Sequence, residues 1–159
     1  MNLISEKLKS LGLILPDAPR PLGNFAPYLL DAGYLYISGQ ISIGEDGNVI
    51  RGKLGLDLDL EAGVEAARRC GIGILARAQS ALGDLDKVEK LIKLGGFVNA
   101  VSDFADHPKV INGASDMMFN VFGPVVGDHV RFAVGSGSLP GNAAVEIEAV
   151  FRVKSEDSV

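Results

Sequence analysis

The clearest pattern in the chain is a helical stripe. From Asp59, apolar or small residues at positions 60, 64, 67, 71, 74, 75, 78 and 82 recur at the helical period until Gly83, which is the spacing of a long amphipathic helix with an acidic N-cap and a glycine stop. A second run begins at about His107, with Pro108 in its first turn and Val110, Ile111, Ala114, Met118, Val121 and Phe122 facing inward, and it ends at Gly123. A shorter stripe of Leu3 or Ile4, Leu8 and Leu11 predicts a helix over residues 2–11 that stops at Gly12.

Elsewhere the period is two. Residues 25–30 and 34–42 read as strands, the second setting Leu35 and Ile37 against Tyr34, Tyr36 and Ser38. The turn GEDGN at 44–48 folds the chain back onto a third strand at 49–52. Strands at 88–100, 129–138 and 143–153 complete the set, and SLPGN between the last two offers Pro140 and Gly141 for the middle of a type II turn. The predicted order is one helix and then βββαβαββ. Segment 88–98 carries Leu91 and Phe97 on one alternation and Ile92, Leu94 and Val98 on the other, as expected of a strand covered on both faces. Two long helices cover only one face of a mixed sheet, so the pattern predicts an α+β layer whose second face meets another subunit. The proline-rich stretch PDAPRPLGN at 16–24 separates an N-terminal helical extension, residues 1–24, from a main domain over 25–159.

Composition narrows the function classes. A chain of 159 residues fits one domain. Its 15 Lys and Arg against 20 Asp and Glu leave a net charge of −5, a poor match for phosphate neutralisation, so nucleic acid is not the expected partner. A single cysteine excludes an intrachain disulfide, and two histidines cannot complete a Cys/His zinc site. No metal is expected. The start MNLISEKLKSLG lacks the apolar core of a signal peptide, and no run nears eighteen apolar residues. The expectation is a cytoplasmic protein with no membrane partner. Twenty glycines exceed the roughly 11 of average usage. Gly71 and Gly73, inside the long helix, are expected to allow close packing on the sheet, whereas Gly39 and Gly135 are expected where backbone approaches a ligand.

The candidate chemistry lies on two strands. In HVRFAVGSG the alternation puts Val130, Phe132 and Val134 on one face and Arg131, Ala133 and Gly135 on the other. Two small residues beside an arginine leave a pocket at a guanidinium fork, a geometry suited to a small carboxylate; the competing reading is an arginine paired with a glutamate. In VEIEAVF, Glu146 and Glu148 share the face opposite Val145, Ile147 and Phe151. Across a short turn either acid is expected near Arg131, as its partner or as a general base. Ser38, Gly39 and Gln40 end a strand with a hydroxyl, a glycine and an amide. Tyr28 reads as packing, Asn112 as a solvated helix residue, His107 as local, and His129 as a surface or interface residue on the face of Arg131. GNVIRGKL at 47–54 imitates a P-loop but ends in leucine and opens no helix, and GSGSLPG at 135–141 joins two strands instead of opening a helix. Cys70, mid-helix among apolar neighbours, reads as a buried thiol.

Taken in order, PYLLDAGYLYISGQI, LGDLDKVEKLIKLGGFVNAVSDF, HPKVINGASDMMFNVFG and HVRFAVGSGSLPGNAAVEIEAVF resemble the RidA/YjgF family, also called endoribonuclease L-PSP, in its longer bacterial branch with a helical extension. The resemblance covers roughly residues 25–153. It implies a chorismate-mutase-like homotrimer with a small-molecule cleft between subunits. It also implies hydrolysis of reactive imine or enamine acids to 2-keto acids and ammonia, without cofactor or metal. By the same resemblance Arg131 clamps the substrate carboxylate, Glu146 positions the water, and Tyr28, Ser38, Gly39 and Asn112 fall in the cleft, with Ala133 and Gly135 beside the arginine. The chain departs from many deaminating members, which place serine and cysteine after the arginine where it has Phe132 and Ala133, and its loop GPVVGD at 123–128 is longer. Three readings follow: an imine deaminase, a carboxylate-binding or regulatory trimer without turnover, and the ribonuclease of the family name.

Overall fold

The computed structural model describes residues 2–18 and 20–155. The elements are α1 (Leu3–Ser10), β1 (Tyr28–Asp31), β2 (Tyr34–Ile41), α2 (Leu60–Leu82), β3 (Val88–Asn99), α3 (His107–Val126), β4 (Val130–Ser136) and β5 (Val145–Val153), with 3₁₀ turns at Leu85–Lys87 and Pro140–Asn142. Helix α2 starts and stops where its sequence dictates. The Asp59 carboxylate accepts the Ala62 N–H at 2.8 Å, and Gly83 closes the helix at φ 73°. Helix α3 loses regular geometry at Gly123, with φ 78° and ψ 174°, and one further turn carries the chain to Gly127. The Leu139 carbonyl accepts the Asn142 N–H at 3.0 Å and Gly141 takes φ 62°, the backbone of the predicted type II turn.

The sheet has five strands in the order β1-β2-β5-β3-β4, antiparallel except for the β3–β4 pair. Helices α2 and α3 pack against each other and cover one face. Leu35, Leu91, Leu94, Ile147 and Phe151 project from that face and are fully buried, each contributing about 1.5–3 kcal/mol. The helix pair approaches closely at Gly113, where any Cβ would strike the Val64 carbonyl of α2. Helix α1 is tied down from outside: the Asp86 carboxylate accepts the N–H groups of Leu3 and Ile4, both at 2.7 Å, donors that the first turn of a helix leaves free.

Three expectations need correction. Residues 49–52 form no sheet strand: their backbone bonds to Ser42, Asn142 and Ala144 make only the isolated bridges Ile43–Val49 and Arg51–Ala143, which do not extend into a ladder. The strand 88–98 does not keep one alternation. A bulge between Leu91 and Lys93 resets the phase, so Leu91 and Leu94 share the helix face and Phe97 turns to the open one. Gly71 packs against α3, where an added Cβ would meet the Met117 methyl at 2.5 Å; only Gly73 lies over the sheet, beside Gln40.

Candidate functional site

Arg131 lies on β4, the strand at one edge of the sheet. Gly96 of β3 pairs with Ala133 on one side and with the buried Ile147 on the other, so Arg131, two residues from Ala133, points to the helix side. There α3 receives it. Its Nη1 donates to Ser115 Oγ at 2.9 Å and its Nη2 to the Pro108 carbonyl at 3.1 Å. Both acceptors are neutral, and among the described residues no carboxylate pairs with this guanidinium. Two of its five N–H donors are used and three remain. The arginine paired with a glutamate is therefore not what the described residues form.

Ser115 is buried on α3, and its hydroxyl also meets His129 Nε2 at 2.9 Å, while His129 Nδ1 lies 2.7 Å from the Gly127 carbonyl. The imidazole leans on the Phe119 ring, with centroids 5.6 Å apart. Pro108, Asn112, Ser115 and Phe119 recur at helical spacing, so Asn112 stands on the stripe of α3 that faces Arg131, exposed between its two partners. Ser115 was missed in the sequence. Its signal was a hydroxyl among the inward-facing small and apolar positions of GASDMM, one turn beyond Asn112.

Glu146 does not join Arg131 in the same chain. The strand β5 does not neighbour β4, since β3 lies between them, and Glu146, adjacent to the inward Ile147, points to the open face. Glu148 shares that face and lies 3.6 Å from Lys93 Nζ. The turn joining β4 to β5 brings the strand ends together in sequence only, because the parallel β3–β4 pairing carries β5 past β3.

Glu146 instead belongs to a second cluster. It pairs in register with Ile41, and its Oε1 sits 2.5 Å from where a Gly39 Cβ would be. Gly39 thus makes room for a carboxylate of its own chain. Burial pushes the Glu146 carboxyl above its ordinary value, and among the described residues it has neither an ion-pair nor a hydrogen-bond partner. Ser38 is fixed beside it, its Oγ donating to the Ala26 carbonyl at 2.7 Å. Tyr28, opposite Ile37 in the ladder, packs half-buried on the core. Tyr28, Ser38, Gly39 and Glu146 therefore gather on β1, β2 and β5, while Arg131, Asn112 and Ala133 gather at the β4 edge. The two groups are candidate half-sites, with Arg131 on the helix side of the sheet and Glu146 on the open face; Tyr28, in register with the buried Ile37, stays on the helix side.

Gly135 is exposed, but the space a side chain would take there is already filled. The His107 imidazole fills the space above it, with Nε2 2.7 Å from a built Cβ, held edge-on by Phe104 at 5.1 Å. The P-loop look-alike is also accounted for. The Lys53 ammonium ties Asn99 Oδ1, at 2.7 Å, to the Gly137 carbonyl. Cys70 is fully buried and contacts the Val145 carbonyl at 3.3 Å; burial, and then the nearby Glu146 charge, push its thiol well up, away from thiolate chemistry. Two surface concavities, of roughly 530 and 280 Å³, lie beside Gly33 and Arg152 and beside Leu13 and Arg68. Neither contains Arg131 or Glu146. No three His, Cys, Asp or Glu side chains among the described residues group as a metal site, and no described helix is long and apolar enough to cross a membrane.

Residues 5–151 match the model of the family described as YjgF/chorismate mutase-like, putative endoribonuclease. The chain is 40% identical over 152 residues to Protein TCP17 of Trypanosoma cruzi, covering 96% of this chain and 95% of that one. It is similar to the solved protein Atu1372 of Agrobacterium tumefaciens, of unknown function, with TM-score 0.87, 40% identity and 96% and 94% of the two chains covered. A structure from Shewanella oneidensis, described as a putative endoribonuclease, matches at TM-score 0.90 and 29% identity over 96% and 100%. With its mixed sheet, its two covering helices and a family match running through both half-sites, the chain belongs to the YjgF/RidA family.

Proposed function

We propose that the protein hydrolyses reactive 2-imino and enamine acids to 2-keto acids and ammonia, in a cleft that forms when the Arg131 half-site of one subunit meets the partner subunit's Glu146 in a homotrimer. The observation that carries this reading is a guanidinium held by two neutral acceptors and lacking an acid partner among the described residues, poised to take a carboxylate in a charge-assisted fork. Arg131 and Glu146 on opposite sides of the sheet support a heterologous interface, which closes into a ring when its rotation allows. The apolar open face supports self-association as well: Leu29, Tyr36, Phe97 and Val134 are between 37% and 60% exposed.

In this cleft Arg131 binds the substrate carboxylate and fixes the C=N carbon. The partner subunit's Glu146 accepts a proton from water as the oxygen adds to that carbon and the nitrogen takes up a proton. In the resulting carbinolamine the partner subunit's Glu146 passes its proton to the nitrogen; the hydroxyl proton then leaves to solvent as the C=O forms, the C–N bond breaks and ammonia departs, which regenerates the carboxylate. A carboxyl raised by burial is better matched to neutral-pH proton transfer than an ordinary glutamate. Such imines already hydrolyse in water, so positioning and one acid/base group suffice. Tyr28, Ser38, Gly39 and Asn112 would line the walls.

The test is to generate 2-iminobutanoate with a dehydratase and follow its decay. Acceleration by the wild type is expected, with kcat/KM for Arg131→Ala down roughly 100-fold, the worth of a lost charge-assisted pair of hydrogen bonds. No acceleration by the wild type would refute turnover of this substrate. Ala133 favours a second reading, carboxylate binding without turnover, because it supplies no thiol beside the arginine. In that case the protein would bind a 2-keto acid, and lose it in Arg131→Ala, while leaving the imine unchanged. The ribonuclease reading is opposed by the net charge of −5 and would return only with RNA cleavage abolished in a site variant.

A further inference from the structure

We propose that Ser115 and His129 are positioning residues for Arg131, forming with the Gly127 carbonyl a hydrogen-bonded chain that sets the guanidinium for a ligand carboxylate; this rests on the reading of Arg131 as the carboxylate clamp. The chain runs from the Gly127 carbonyl to His129 Nδ1 at 2.7 Å, from His129 Nε2 to Ser115 Oγ at 2.9 Å, and from Ser115 Oγ to Arg131 Nη1 at 2.9 Å.

Its direction follows from the inventory of donors and acceptors. The Gly127 carbonyl only accepts, so His129 Nδ1 carries the proton and, in the neutral ring, Nε2 is an acceptor. The Ser115 hydroxyl hydrogen then points to Nε2, which leaves the oxygen lone pairs for the Arg131 N–H. Each member has one partner on either side. A buried serine inside a helix ordinarily bonds a carbonyl of its own preceding turn. Ser115 instead reaches across to β4, and with the Pro108 carbonyl two turns earlier it brackets the guanidinium from two points on α3.

Two anchors convert a flexible side chain into an oriented fork. Arginine is rich in rotamers, and whatever freedom the anchors remove in advance need not be lost on binding. The anchoring is also charge-neutral, so it orients Arg131 without spending its charge on an internal carboxylate. His129 has its own support: the Phe119 ring lies against it, and the Asp128 carboxylate next to it turns toward Lys90 Nζ, at 4.0 Å.

The experiment combines nitrogen-15 NMR of the full chain with kinetics. In the wild type, His129 should show the Nδ1–H tautomer, and Arg131 should give two resolved Nη signals from slow rotation about its Nε–Cζ bond. In Ser115→Ala the Arg131 signals should merge, and the dissociation constant for 2-oxobutanoate should rise roughly tenfold, as for one lost hydrogen bond to a charged group. KM for the imine should rise similarly with kcat changed less than about twofold. Ser115→Thr, which keeps the hydroxyl, should restore both readouts. An Nε2–H tautomer of His129 would overturn the proposal with no variant made, and so would unaltered Arg131 signals in Ser115→Ala. If the wild type neither turns over the imine nor binds the keto acid, the clamp reading fails, and the proposal that rests on it falls with it. If both succeed and Ser115→Ala matches the wild type, only the positioning proposal fails.

Discussion

In the proposed reaction two side chains carry the chemistry, and each is shaped by what its immediate surroundings withhold. Arg131 lacks a carboxylate among the described residues, so its charge stays available. Glu146 has no cation or donor among the described residues, and burial raises its carboxyl. Because the folded chain then holds this proton to higher pH than the unfolded chain, Glu146 lowers stability as pH rises from its ordinary value of 4.5 through the raised one. Glu146→Gln should therefore melt above the wild type near pH 7 and together with it near pH 4, as thermal unfolding at the two pH values would read. Gly39 is the complementary case. Its missing side chain is the space the Glu146 carboxylate occupies, so Gly39→Ala should displace that carboxylate, which is the free end of a flexible side chain. The expected outcome is a kcat/KM for imine hydrolysis lowered roughly 10- to 100-fold with stability within about 1 kcal/mol of the wild type.

At the scale of elements, local rules explain the helices well and the strands less well. The capping of α2 by Asp59 and Gly83 follows from residues inside a few positions of each end, and the inward stripe of α3 was legible because a helix repeats its own face. Strands have no such autonomy. Residues 49–52 look like a strand, but they make only isolated bridges and no continuous ladder. The bulge before Lys93, which turned Phe97 outward, arises from the match to β5 and not from anything in the segment itself. At Gly135 the missing side chain makes room for His107, a residue 28 positions away in the chain. The helix pair gives a direct test. Gly113→Ala places a methyl against the backbone carbonyl of Val64, which no rotamer change relieves. It should cost about 1–3 kcal/mol or more, seen as a melting temperature lower by several degrees.

The molecule has one covered and one open sheet face, with Arg131 on the covered side and Glu146 on the open one. Both features point to assembly. A ring of three subunits would bury Phe97 with Phe132, which already meet edge to face at 5.2 Å, and would bring Arg131 to the partner subunit's Glu146. Light scattering should give about three times 16.7 kDa. Phe97→Asp, which puts a charge into that face, should return the mass to 16.7 kDa and abolish imine hydrolysis together with it.

By itself the sequence determined the helices, their ends, most of the strands and the chemical types available, because caps, turns and periodicities are written over a few consecutive residues. It also carried the arginine and the glutamate, and a family pattern in which to find them. Only the tertiary structure decided that these two residues lie apart in one chain, that α3 supplies Ser115 and the Pro108 carbonyl to Arg131, and that Gly39 serves Glu146. The physical reason is the strand order. Inserting β5 between β2 and β3 makes neighbours of residues far apart in sequence and separates those joined by a short turn, and no local periodicity encodes which strand edge lies beside which.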